Sequence, residues 1–142
     1  MASRSVSDIG GRTFWNQLNS GLVREALRMR PDRLVLGECR GGEVRELLAA
    51  LNTGHDGGAG TLHANSVSDV PARLEALGAL AGMSQEAVAR QTVSALSWVL
   101  YVERTDAGRR LGQIARFELD AAGRLAVRPH EPNETSVQSA PR

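Results

Sequence analysis

A short apolar run, Leu34-Val35-Leu36, set between Pro31-Asp32 and Gly37-Glu38, constrains this chain more than any other stretch. An apolar run bounded by turn residues reads as a fully buried strand. Gly41-Gly42 follows, and then Val44, Leu47, Leu48 and Leu51 recur at i, i+3, i+4 and i+7. That spacing describes a helix with one face covering the sheet. The helix stops at Asn52-Thr53-Gly54, and a loop holding His55, Asp56 and Gly57-Gly58 leads through Gly60 into a second short run, Thr61-Leu62-His63-Ala64. A crossover helix therefore joins two strands. In open α/β sheets, ligands bind in the crevice outside the carboxyl ends of the strands. Glu38 falls at such an end, and His63 closes the second run near the same edge.

A carboxylate in that position suits a Mg²⁺ shell or a water to be activated. An imidazole can donate a hydrogen bond to a phosphate oxygen. Taken singly, each residue has a plainer reading: a solvated loop acid or helix N-terminal charge for Glu38, and a satisfied structural histidine for His63. Their occurrence at two consecutive strand ends, with glycines between, favours a site for a metal-bound phosphate.

The ordered stretches RMRPDRLVLGECRGGE and NTGHDGGAGTLHANS resemble the Walker B and histidine-box region of the motor ATPases of type II and type IV secretion systems. Within that superfamily the similarity is greatest to the branch that drives Tad/Flp pilus assembly and conjugal-transfer-like systems. The resemblance spans roughly residues 22 to 103. It implies an α/β fold, a partial RecA-like P-loop NTPase core, with ATP and Mg²⁺ as cofactors. Glu38 then matches the Walker B glutamate that holds Mg²⁺ through water or polarises the attacking water, and His63 matches the residue that senses the γ-phosphate. Gly54-His55 matches the pair opening the histidine box, Thr61 lies in the same box, and Arg40 is placed to approach phosphate or to make a helix-start salt bridge. The resemblance also implies a homo- or hetero-oligomeric ring, a hexamer in the family, working against inner-membrane secretion or pilus platform proteins. No direct nucleic-acid contact is expected.

One family element is not in the sequence. A P-loop motor needs G-x-x-x-x-G-K-[ST] to cradle the phosphates. No such string occurs, and all 17 Lys+Arg residues are arginine. In the family the P-loop and an aspartate-rich segment precede Walker B, so the sequence reads as the C-terminal half of a motor domain, from a split or truncated gene or a decayed copy. The apolar strand at 34–36 would then lack neighbours and form an exposed edge.

Composition narrows the remaining choices. A chain of 142 residues is one domain by size and buries roughly two thirds of its unfolded surface. The net charge of +1 gives no broad attraction to nucleic acid or membrane. No apolar run approaches the ~18 residues of a membrane span. The polar first residues do not resemble a secretory signal, and a single cysteine excludes an internal disulfide framework. Cytoplasmic location is expected, with room for peripheral binding at the inner face of the cytoplasmic membrane.

Residues 1–20, rich in Ser, Gly and Arg, read as a flexible leader outside the resemblance, with Phe14 and Trp15 as a docking alternative. A helix follows over residues 22–30 and ends before Pro31. Its Arg24, Arg28 and Arg30, with Arg33, are best read as solvated charges. After the histidine box, Ser66-x-x-Asp69 opens a helix with Pro71 in its first turn, and Ser84 opens another running to about Ser97. Val88, Val93, Ala95, Leu96 and Leu100 supply apolar contacts there. From Trp98 the pattern turns to period two: strands at 98–104, 112–119 and 125–127, separated by Asp106-Ala107-Gly108 and Asp120-Ala121-Ala122-Gly123, form a β-meander. In domain terms, 21–105 is the motor half, 106–128 a meander extending the motor sheet, and 129–142 a disordered tail with a solvated His130.

Three functional readings follow. The chain is an enzyme fragment competent only beside a P-loop partner, a non-catalytic module that joins a ring, or, from another class, a metal or thiol site built on Cys39, His55 and His63. The lone Cys and the lack of C-x-x-C or H-x-x-x-H spacing weigh against the last.

Overall fold

In the computed structural model, residues 13–16, 20–55 and 57–131 are described. They order as β1 (Thr13–Asn16), α1 (Ser20–Arg28), β2 (Arg33–Leu36), α2 (Glu43–Asn52), β3 (Ala59–Gly60), a 3-10 turn (Val67–Asp69), α3 (Val70–Leu80), α4 (Gln85–Ala95), β4 (Trp98–Thr105), β5 (Gly108–Leu119) and β6 (Leu125–Pro129). The strands make two three-stranded sheets, β1-β2-β3 and β4-β5-β6.

The first sheet is parallel, with Phe14 beside Leu34 and Val35 beside Ala59 in register. Two expectations change here. β2 is the central strand of its sheet, not an exposed edge. Part of the expected leader, Thr13–Asn16, is the strand that covers it; the β-formers Thr, Phe and Trp favour that conformation. Residues 1–12 and 17–19 lie outside the described residues. The second run is also shorter than expected, since β3 stops at Gly60 and 61–64 leave the ladder.

Helix positions follow local chemistry. Pro31 disfavours helical geometry at the preceding residue, and Arg30 there turns to φ 49 as α1 ends. In α2 the predicted stripe Val44, Leu47, Leu48 and Leu51 is buried. It joins Leu34 and Leu36 of β2 and Val23 and Ala26 of α1 in one core. The loop between α2 and β3 runs tight against that core. A Cβ on Gly58 would stand 2.7 Å from the Leu34 carbonyl oxygen and 2.4 Å from Leu51 Cδ2, so only glycine fits without a shift.

Pro71 sits in the first turn of α3. The Ser66 side chain makes no cap there and meets Ser68 Oγ at 2.9 Å instead. Ser84 does cap α4, its Oγ accepting the Ala87 amide at 3.2 Å.

The second sheet is the meander, and it begins at Trp98. Among the described residues it is a separate antiparallel sheet and not an extension of the first. Its inner face, through Val99, Phe117 and Leu125, reaches the common core. Leu100, expected as a contact of the preceding helix, points outward and is exposed. Pro129 closes β6, and His130 is tied down, its amide donating to the Ile114 carbonyl at 2.8 Å and its ring set edge-on to Trp98. The expected tail from 132 onward lies outside the described residues.

Candidate functional site

β2 ends at Leu36, and Gly37-Glu38 leaves the strand at its carboxyl end. The neighbouring strand end is fastened to it by Thr61. The Thr61 amide donates to the Leu36 carbonyl at 3.2 Å, the Cys39 amide donates to the Thr61 carbonyl at 2.7 Å, and the Thr61 hydroxyl donates to the Gly37 carbonyl. Three bonds through one residue hold the two chain ends side by side. Two residues beyond Thr61, His63 Nε2 lies 3.1 Å from Glu38 Oε1. Arg40 closes on the other carboxylate oxygen, with its guanidinium 2.6 Å from Oε2.

Glu38 is thus held from both sides, its side chain 17% exposed while Arg40 and His63 reach into solvent. The Arg40 hydrogen bond, outweighing partial burial, keeps the Glu38 carboxyl below the usual carboxylate range; the charges of Arg40, His63 and Arg73 act in the same direction. An ionised carboxylate presented at a strand end can take up a proton, orient a water or join a cation's shell.

Two contributors escaped the sequence reading. Glu43, first residue of α2, folds its carboxylate back to accept the amides of Arg40 and, at 3.0 Å, Gly41. Burial alone would raise its pKa, but the amide bonds from Arg40, Glu43 itself and Gly41 leave it lowered. This clamp shapes the turn that presents Arg40 to Glu38. An acid in a helix's first turn was the available signal. The other is Tyr101 of β4, whose hydroxyl donates to the Asn65 carbonyl at 2.9 Å and anchors the loop after His63.

Because its folded pKa is lowered, Glu43 stabilises the fold above the ordinary carboxylate range and loses that contribution as pH falls through its depressed value. Glu43→Gln keeps an acceptor but removes the charge. Thermal melts across an acid series should therefore fall less steeply for the variant than for the parent chain, and parallel curves would refute this role.

The other predicted site residues go elsewhere. Gly54, at φ 101, and His55 follow the C-terminal end of α2, whereas Glu38 precedes its start. The ten residues of that helix put about 15 Å between its two ends. His55 Nδ1 is buried without a hydrogen-bond partner among the described residues. The structure therefore gathers Glu38, His63, Arg40 and Thr61, and leaves Gly54 and His55 at the opposite end of α2.

The metal or thiol reading loses its sulfur. Cys39 is 3% exposed in the core, and burial, with smaller effects of Glu43 and Glu38, pushes its thiol up to about 12. No group of three His, Cys, Asp or Glu side chains suited to a metal occurs among the described residues. A thiol this buried and this weakly acidic is unreactive. Ellman's reagent should leave it untouched until the chain is unfolded in guanidinium; prompt labelling in native buffer would contradict its placement.

Two surface grooves flank the β5–β6 turn, one against α3 and α4 with Glu75, Arg90 and Arg124, the other between α3 and β6 with Pro71, Glu75 and Val127, and neither includes Glu38 or His63. No helix among the described residues is long and apolar enough to cross a membrane.

A parallel strand–helix–strand unit with an acid and a histidine brought together beyond its strand ends marks an α/β protein. The sequence model of the type II/IV secretion system protein family matches residues 12–104, and the chain belongs to that family. The match begins earlier than the sequence reading placed it, taking in β1. A putative conjugal transfer protein of Mycobacterium tuberculosis is 62% identical over 105 residues, covering 73% of this chain and 30% of the relative. The probable conjugal transfer protein TrbB of Sinorhizobium fredii is 40% identical over 106 residues, covering 75% and 32%. Among solved structures, the VirB11 ATPase of the Brucella suis type IV secretion system, in complex with sulphate, is similar with a TM-score of 0.62 and 26% identity, over 68% of this chain and 31% of that one. The chain spans about a third of the length of these relatives.

Proposed function

We propose that this chain supplies the Walker B glutamate, Glu38, and the histidine-box residue, His63, of a secretion motor ATPase of the conjugal-transfer or Tad/Flp pilus branch. It acts in an oligomeric ring at the cytoplasmic face of a membrane platform, beside P-loop residues that this sequence does not contain. The observation that carries the reading is the 3.1 Å approach of His63 Nε2 to Glu38 Oε1 across adjoining strand ends.

The residues fit Mg²⁺ in a limited way. One ionised carboxylate at a strand end suits a cation that keeps several waters and takes its other ligands from nucleotide phosphates. When bound, Mg²⁺ and ATP supply the phosphoryl group and neutralise its charge. Glu38 then holds a metal-bound water or orients the attacking one, and Arg40 keeps it ionised and aimed. His63 Nε2 lies 3.1 Å from Glu38; a terminal phosphate oxygen would offer the ring a competing acceptor, and by that exchange the ring would report the phosphate.

Phosphate cradling is what the sequence lacks, having no G-x-x-x-x-G-K-[ST] and no lysine. A second reading is a ring subunit or interaction module without ATPase activity. Both readings predict little or no hydrolysis by the chain alone. Phosphate release from Mg-ATP by the purified chain should match the protein-free blank. Turnover by the pure protein that disappears in Glu38→Gln would overturn the need for a partner.

A further inference from the structure

His63 is placed by its neighbours in the chain. Its side chain is 86% exposed, and among the described residues its own amide and carbonyl make no main-chain hydrogen bond. Residues 61–66 form no helix or strand. Leu62 and Ala64 pack against the core, which turns the histidine between them outward. Apolar contact is non-directional, so it decides which side faces water and leaves the ring free to shift along the strand ends. Hydrogen bonds are directional, and they hold the segment at both ends. Thr61 is fastened to the Leu36 and Gly37 carbonyls and to the Cys39 amide. At the other end the Tyr101 hydroxyl donates to the Asn65 carbonyl at 2.9 Å.

Tyr101 reaches that carbonyl from the other sheet, and the strand pairing is irregular where it does so. β4 and β5 stay in register as far as Tyr101, opposite Gln113; Val102 then pairs with Leu111, which leaves Gly112 over as a bulge. A bulge bends the ladder, adds local twist and re-aims a side chain, and bulges are over-represented next to active sites. Tyr101 lies on the half-buried side of β4, with Val99. A tyrosine suits the place because its ring packs as an apolar body while its hydroxyl finds a polar partner.

We propose that Tyr101 is a positioning residue for His63. Through the Asn65 carbonyl it fixes the chain beyond the histidine, and so sets the 3.1 Å approach of the ring to Glu38 Oε1. The antiparallel sheet thereby takes part in the site through a main-chain atom two residues from the ring. The consequence for turnover rests on the motor reading above, whereas the consequence for the ring's position does not.

Tyr101→Phe tests it on the full chain, because the change removes one oxygen and keeps the ring. In proton–nitrogen spectra of the histidine rings, Glu38→Gln should shift the His63 signal of the parent chain. That response should be lost or much reduced in Tyr101→Phe. Turnover is read in a chimera carrying the matched stretch of this chain within the Mycobacterium relative, whose remainder is taken to supply the phosphate cradle. There Tyr101→Phe should lower kcat about three- to tenfold, the worth of one hydrogen bond, with KM changed less. Added to His63→Ala it should cost nothing further, because residues that act through one another are not additive. A role in folding alone would lower turnover by the same factor in both backgrounds. That equal loss would overturn the proposal, and so would a His63 signal that ignores Glu38→Gln in the parent chain or answers it equally in Tyr101→Phe. Should Glu38→Gln leave the chimera's turnover unchanged, the motor reading falls, while the ring spectra, which need no nucleotide, still decide the role of Tyr101.

Discussion

Glu38→Gln is expected to lower ATP turnover by about 10²–10⁴-fold, the range for loss of a positioned acid–base group, once this chain sits beside a P-loop. The test is a chimera in which the matched stretch of the Mycobacterium relative, 62% identical, is replaced by the corresponding residues of this chain, on the proposal that the rest of that relative supplies the phosphate cradle. Gln preserves the size of the side chain and keeps one acceptor oxygen that can face Arg40, and the Thr61 staple between the strand ends, made to backbone carbonyls and an amide, survives. What disappears is the negative charge that Arg40 holds in place at 2.6 Å. Nucleotide affinity should change far less than turnover, because the phosphates are held elsewhere. A chimera that hydrolyses ATP equally well with Gln at 38 would remove Glu38 from the chemistry.

Leu34→Ala is expected to cost about 2–5 kcal/mol of folding stability, as for other large-to-small changes in a packed core. Leu34 is fully buried on the central strand of the parallel sheet, and Gly58 brings the loop against its carbonyl, so the surroundings cannot easily collapse into the gap. Leu100→Ala, on the open face of β4, should change stability by only about 0.5 kcal/mol or less in the isolated chain. Urea melts of the two variants read the contrast. Equal losses would mean that the core boundary drawn between the two sheets is misplaced.

The parts legible in the sequence are those where one local signal decides. The helical stripe of α2, the turn residues around β2, the cap at Ser84 and the period-two meander each carry their own periodicity or turn chemistry, and each element appears in the structure. The juxtaposition of Glu38 and His63 was legible because a short crossover leaves few ways to place two successive strand ends. Sequence neighbours can also separate in space. Gly54 and His55 adjoin the histidine box along the chain, yet a rigid helix sets them at its far end from Glu38. β1 was missed because three β-formers among Ser, Gly and Arg carry little signal until a parallel partner is known. Glu43 was passed over because a carboxylate that folds back on its own turn leaves no periodic mark, and the outer face of β4 because its alternation is apolar on both sides.

Calorimetric titration of ATP-γ-S with Mg²⁺ is the most direct test, carried out on the chain alone and on the chimera. The account predicts no heat of binding at millimolar nucleotide for the folded chain, and saturable binding for the chimera that weakens in both Glu38→Ala and His63→Ala. Saturable binding by the chain alone, lost in both variants, would mean that this chain holds a complete nucleotide site of its own, and the shared site proposed for it would be wrong.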